Sequence, residues 1–80
     1  MKSLHPVSYD ILTYLSQFNS SYTATLDEIA SIVDKSTVTV YWHVTVLVGM
    51  GLVSKQPRRA RTIRITEEGR VALKAQETER

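Results

Sequence analysis

The chain has no cysteine among its 80 residues, only two prolines, three glycines and two histidines. Without cysteine it has no disulfide and no thiolate metal site. His5 and His43 alone cannot fill the four-ligand shell of a structural zinc. A domain of this length has a small core, so stability must come from packing, with self-association in reserve. No apolar run is long enough to cross a bilayer, and Met1-Lys2-Ser3-Leu4-His5-Pro6 lacks the apolar centre of a signal peptide. The default expectation is therefore a cytoplasmic address. There is no phosphate-binding glycine loop, no metal-ligand spacing and no nucleophile motif. Neither histidine has a triad partner in view, and Glu67-Glu68 read as first-turn helix acids. The expectation is a protein that is not an enzyme and uses no cofactor or metal.

Charge is unevenly placed. Met1 to Asp34 holds Lys2 against Asp10, Asp27, Glu28 and Asp34. Lys35 to Arg64 holds six bases (Lys35, Lys55, Arg58, Arg59, Arg61 and Arg64) and no acid. From Ile65 onward, Arg70, Lys74 and Arg80 face Glu67, Glu68, Glu77 and Glu79. A block of one sign inside a nearly neutral chain points to an anionic partner; a solvated basic hairpin is the plainer account of the same block.

Val7, Ile11, Tyr14, Leu15 and Phe18 recur at helical spacing, and Pro6 suits a helix first turn. Asn19-Ser20-Ser21 reads as a loop. Thr25 and Glu28 have capping-box spacing, ahead of an apolar face at Leu26, Ile29, Ala30 and Val33. Asp34 tolerates the left-handed conformation, so Asp34-Lys35 can form a tight turn, and Ser36 is a good cap for the next helix. The segment 37–50 is ambiguous. Val38, Val40, Trp42, Val44, Val46 and Val48 alternate as in a strand, whereas Val40, Val44, Leu47, Val48 and Gly51 share one helical face. The Ser36 cap, the Gly51 stop and a length far beyond an ordinary strand decide for helix. Leu52 to Gln56 and Thr62 to Thr66 read as strands, with Ile63 and Ile65 on the inner side. Thr66 caps a last helix with Val71, Ala72 and Ala75 inward, and residues 77–80 are expected to fray. One domain over residues 4–76 follows, of α+β class and mostly α: a three-helix core, a two-stranded basic hairpin and a short C-terminal helix.

A short helix, a tight turn and a longer helix make a helix-turn-helix. Thr25-Leu26-Asp27-Glu28-Ile29-Ala30 resembles its first half. Ser36-Thr37-Val38-Thr39-Val40 through His43-Val44 and Leu47, ending Gly51-Leu52-Val53, resembles a recognition helix running into a wing strand. Arg61 to Arg70 (RTIRITEEGR) resembles the second wing strand and closing helix of MarR-like, PadR-like and LexA-like regulators. Asp34 stands where these proteins often have glycine, and Gly49 falls inside the third helix.

The resemblance implies a winged helix-turn-helix that binds double-stranded DNA and acts in transcriptional control, typically as a repressor and a homodimer. It would be nucleoid-associated in a prokaryotic or viral host. The recognition helix, residues 36–50, would enter the major groove, where base edges are read chiefly by the N-terminal half of such a helix. On a helical wheel Val38, Thr39, Trp42, Thr45, Val46 and Gly49 point outward. Thr37, Thr39 and Trp42 are the first candidates for groove contact, with Val38 against a thymine methyl, Ser36 on a phosphate, and Tyr41 and His43 at the margins. Arg58, Arg59 and Arg61 of the wing, residues 57–61, would hold phosphates or enter the minor groove, flanked by Lys35, Lys55 and Arg64. Leu4, Leu12 or the last helix would supply the pairing surface. No chain is left over for a ligand-sensing domain, so no small-molecule ligand is expected. The rival reading is a protein-interaction module: an outward Trp42 either meets a partner or folds back over the core, and with the valine-rich face it could dock on another protein.

Overall fold

The computed structural model describes residues 4–19, 22–55 and 63–78. Its order is α1 (Pro6–Ser16), α2 (Leu26–Val33), α3 (Thr37–Gly49), β1 (Val53–Lys55), β2 (Ile63–Ile65) and α4 (Glu67–Thr78). The wing tip 57–61, with Arg58, Arg59 and Arg61, lies outside the described residues.

Each helix starts where a side chain can take up an orphan backbone donor. His5 Nδ1 accepts the Val7 N–H at 3.1 Å, with Pro6 in the first turn of α1. Thr25 Oγ1 accepts the Glu28 N–H at 3.0 Å, and Ser36 Oγ accepts the Thr39 N–H at 3.2 Å. Thr66 Oγ1 accepts the Gly69 N–H at 3.0 Å while donating to the Gly51 carbonyl at 2.7 Å, which ties the start of α4 to the end of α3.

The turn between α2 and α3 is three residues long because Asp34 takes the left-handed conformation, φ 59° and ψ 47°. Its conformation returns the Lys35 N–H to the Ala30 carbonyl at 3.1 Å. Segment 37–49 is helical despite its β-branched content. Gly51, at φ +79°, then turns the chain into β1, where an L side chain would be strained.

β1 and β2 are antiparallel, with Val53 opposite Ile65, Ser54 opposite Arg64 and Lys55 opposite Ile63. On its other edge Ile63 exchanges two bonds with Ala24, at 2.9 and 2.7 Å. Ala24 thus adds a single bridge of sheet just before α2, in a stretch whose sequence suggested no strand. Leu52 and Thr66 lie outside the strands their sequence pattern suggested, and Gln56 and Thr62 lie outside the described residues.

Ile11, Leu12 and Leu15 of α1, Ile29 of α2, Val40, Val44 and Leu47 of α3, and Ile63 are all but inaccessible and form the centre. Three expectations are corrected here. Leu12 is fully buried and cannot serve a pairing surface. Val48 is exposed, one position off the inner stripe of α3. In α4 Leu73 is the buried residue and Ala72 packs against the core as expected, whereas Val71 is 62% exposed. Helix α4 runs through Thr78.

The direction of α4 is set by Gly69, which lies so close to the Leu52 carbonyl that a Cβ would come within 2.1 Å of its oxygen. From there Arg70 reaches α1, donating to the carbonyls of Ser16 at 3.2 Å and Phe18 at 2.8 Å. These are among the orphan acceptors at a helix C-terminus, and a guanidinium satisfies them well. α1 stops at Ser16, so Phe18 sits just beyond it.

Candidate nucleic-acid interface

Helix α3 carries no Asp, Glu, Lys or Arg from Thr37 to Gly49. Its inner stripe, Val40, Val44 and Leu47, is buried. Its outer side is nearly as apolar: Val38 is 66% exposed, Trp42 62% and Val46 55%. These three recur at i, i+4 and i+8 and therefore share one face. Trp42 does not fold back over the core. Its neighbour Tyr41 meets it edge-on with ring centroids 5.9 Å apart.

The hydroxyls of α3 are partly committed to the helix itself. Ser36 Oγ caps the helix and lies 3.1 Å from Thr39 Oγ1. Thr45 Oγ1 donates to the Tyr41 carbonyl at 2.8 Å, so Thr45 turns its hydroxyl toward the backbone. Thr37 is exposed at the first helical position and Lys35 is exposed in the turn.

Two sequence candidates stand elsewhere. His43 is half-buried between α3 and α1, with Nδ1 3.3 Å from Ser8 Oγ and its ring centroid 4.5 Å from that of His5. Burial, and then the charge of His5, hold its pKa below the ordinary 6.5. His43 thus faces α1 and not the outer stripe. Arg64 is exposed beside Ser54, whereas Lys55 lies on the opposite side of the strand pair, with Nζ 4.9 Å from the Tyr41 ring centroid. The hairpin therefore brings Lys55, and not Arg64, to the middle of α3.

A second cluster went unread in the sequence. Tyr14 of α1 and Tyr22 of the following loop both donate to Glu28 Oε2. Phe18 stacks on Tyr22 at 3.9 Å and meets Tyr14 edge-on at 5.2 Å. The two hydroxyls, with the Thr25 backbone N–H, draw the Glu28 carboxyl below its ordinary 4.5, and the hydrogen bonds donated to that carboxylate in turn raise both phenols. The cluster pins the end of α1 to the start of α2 and so positions the helix-turn-helix. Among the described residues no three His, Cys, Asp or Glu side chains gather as a metal site. No described helix is long and apolar enough to cross a membrane.

Solved structures share this arrangement. A MarR family transcriptional regulator from Streptomyces coelicolor superposes with a TM-score of 0.84 over 94% of this chain and 53% of its own, at 27% identity. A MarR family regulator from Rhodococcus sp. RHA1 matches at 0.80, covering 94% of this chain and 54% of its own, at 25% identity. This chain is a winged helix-turn-helix domain. In it, α2 and α3 are the helix-turn-helix and β1–β2 the stem of the wing. A Mycobacterium tuberculosis transcriptional regulator solved in complex with DNA has the same winged helix, with a TM-score of 0.80 at 24% identity over 94% of this chain and 57% of its own. The winged helix described here spans about half the length of these structures. No protein-family model and no curated protein matches the chain.

Proposed function

We propose that this winged helix binds double-stranded DNA as a transcriptional regulator, with residues 36–50 in the major groove and residues 57–61 on phosphates or in the minor groove. The observation that carries the reading is the uncovered outer stripe of α3, presented by a helix-turn-helix and followed in sequence by a basic block. The major groove admits one helix, and Val38, Thr39 and Trp42 lie in the half of α3 that such a helix presents first. Ser36, Thr37 and the free N–H groups of the first turn suit a phosphate. Arg58, Arg59 and Arg61 supply the sequence-independent attraction, with Lys35 and Lys55 beside α3 and Arg64 on the far strand face. The Mycobacterium regulator of the same fold, solved with DNA, supports the assignment.

A cytoplasmic regulator that represses and pairs across a two-fold site completes the reading. One module offers little contact area, and readers of this kind commonly bind as dimers. With Leu12 in the core, the half-buried Leu4 and the exposed Val71 are the candidates left for pairing. A protein-docking role for the same stripe is the second reading, favoured by the exposure of Trp42, an interface-prone residue.

The test titrates a duplex from upstream of the protein's own gene, and a shuffled duplex, into the chain across a salt series. Trp42, the only tryptophan, gives the signal. Tight, salt-dependent binding with preference for the first duplex is expected. Replacing Arg58, Arg59 and Arg61 by alanine should lower the log–log salt slope by about 3. Absence of binding to either duplex at low salt would transfer the stripe to the protein-docking role.

A further inference from the structure

The chemistry of the outer stripe narrows what such a helix could read. In the major groove a base pair displays acceptors on guanine, adenine and thymine, amino donors on cytosine and adenine, and the C5 methyl of thymine. Purine acceptors and donors are normally matched by Arg, Lys, Asn or Gln, and none of these occurs from Thr37 to Met50. The middle of α3 also withholds a hydroxyl: Thr45 directs its Oγ1 to the Tyr41 carbonyl. The first turn keeps the Thr37 and Thr39 hydroxyls, but the outer stripe offers a base edge only four residues: Val38, the indole face of Trp42, the methyl of Thr45 and Val46. All four residues are exposed, and they recur along one face of the helix. Burying such surface is favourable only against another apolar group. The one apolar group on the major-groove edge is a methyl at pyrimidine C5.

We infer that α3 selects duplexes by C5-methylated pyrimidines, thymine or 5-methylcytosine, packed against Val38, Trp42 and the Thr45 methyl. The inference rests on the DNA-binding reading and adds to it a ligand chemistry. The complement is specific: thymine and uracil present the same hydrogen-bonding edge and differ by one methyl, as do 5-methylcytosine and cytosine.

The experiment uses the full chain and a pool of duplexes with 30 randomised base pairs, enriched by rounds of binding at low salt. The enriched pool is re-amplified with dTTP or dUTP, and with dCTP or 5-methyl-dCTP, and the affinity of each product is measured. Each methyl lost from contact weakens binding about fourfold, so loss of two in a site predicts about a fifteenfold drop for the uracil pool. A drop with uracil and indifference to 5-methylcytosine assigns the contact to thymine. A gain with 5-methylcytosine extends it to methylated cytosine. V38A keeps the fold, because Val38 is 66% exposed, and should shrink the thymine-to-uracil ratio toward one. Equal affinity of all pools overturns the methyl inference and leaves DNA binding standing. An unchanged ratio in both V38A and W42A overturns its assignment to α3. Absence of binding by every pool overturns the DNA-binding reading and the inference together.

Discussion

Gly69 and Gly49 form a matched pair of glycines with opposite predicted responses to alanine. At Gly69 a Cβ would stand 2.1 Å from the Leu52 oxygen, 2.8 Å from Ile65 Cγ1 and 3.1 Å from the Leu52 carbonyl carbon. Carbon and carbonyl oxygen approach no closer than about 3.3 Å in ordinary contact, so α4 would have to retreat by about 1 Å. The Leu52 oxygen cannot yield cheaply, because it accepts the Thr66 N–H at 3.0 Å. Overpacking of this kind costs about 1–3 kcal/mol, and a weakened backbone bond adds about 1 kcal/mol. Gly69→Ala should therefore destabilise by about 3 kcal/mol, lowering Tm by roughly 12–24 °C in a domain of this size. At Gly49 a Cβ meets nothing within 4 Å. There alanine gains helix propensity and should stabilise by up to about 1 kcal/mol, less at this last helical position. Urea unfolding followed by circular dichroism and by Trp42 fluorescence measures both. Near-native stability of Gly69→Ala would refute the close seating of α4 on Leu52. A shift of the same sign and size at both glycines would refute the packing argument altogether.

The remaining predictions concern charge. The folded pKa of Glu28 lies below its ordinary 4.5, so the stability it contributes is present above that pH and lost as pH falls through the lowered value. Glu28→Gln should flatten the acid limb of an unfolding-versus-pH curve, and an unaltered limb would remove the tyrosine pair from the account. His43, held below 6.5 by burial and His5, takes up its proton more readily in the unfolded chain. Stability should accordingly fall as pH drops below about 6.5, and an NMR titration of the His43 ring should show a midpoint under that value; a midpoint above it would mean that His43 is not buried against α1. Arg70→Met cuts the bonds to the Ser16 and Phe18 carbonyls and should cost about 1–2 kcal/mol, discounted for partial exposure. It should do so with an unchanged urea m-value.

The parts of this fold that were legible in the sequence are those decided within four residues. Thr25, Ser36 and Thr66 each announce a helix because their oxygen meets an N–H three residues on, and Asp34 announces the turn because it accepts positive φ. Segment 37–49 shows local logic overruling propensity: a cap, a glycine stop and an inner stripe outweighed a run of β-branched residues. What stayed illegible was non-local. The Ala24–Ile63 bridge joins positions 39 apart in the chain. The Glu28 cluster gathers side chains from α1, the loop and α2. On α4, Leu73 was missed and Val71 wrongly turned inward, because the rotation of that helix follows from the seating of Gly69 on Leu52, which no periodicity encodes. The candidate site divided in the same way. The outer stripe of α3 follows from the helical wheel, whereas the turn of His43 toward Ser8 and of Lys55 toward Tyr41 depends on neighbours from other elements.

The clasp between α1 and α4 has a consequence for how the chain comes into being. Arg70 closes the end of α1 across 54 residues, and the Leu4 N–H reaches Gln76 Oε1 across 72. On a ribosome adding about 5–20 residues per second, α1 emerges several seconds before the helix that completes its surroundings. During that interval the side of α1 destined for α4 faces water or a chaperone. A substitution that weakens α4 would thus act during synthesis, lengthening the time the nascent chain is open to misassociation. Its mark would be poor yield from cells even where the purified variant unfolds at a near-normal temperature.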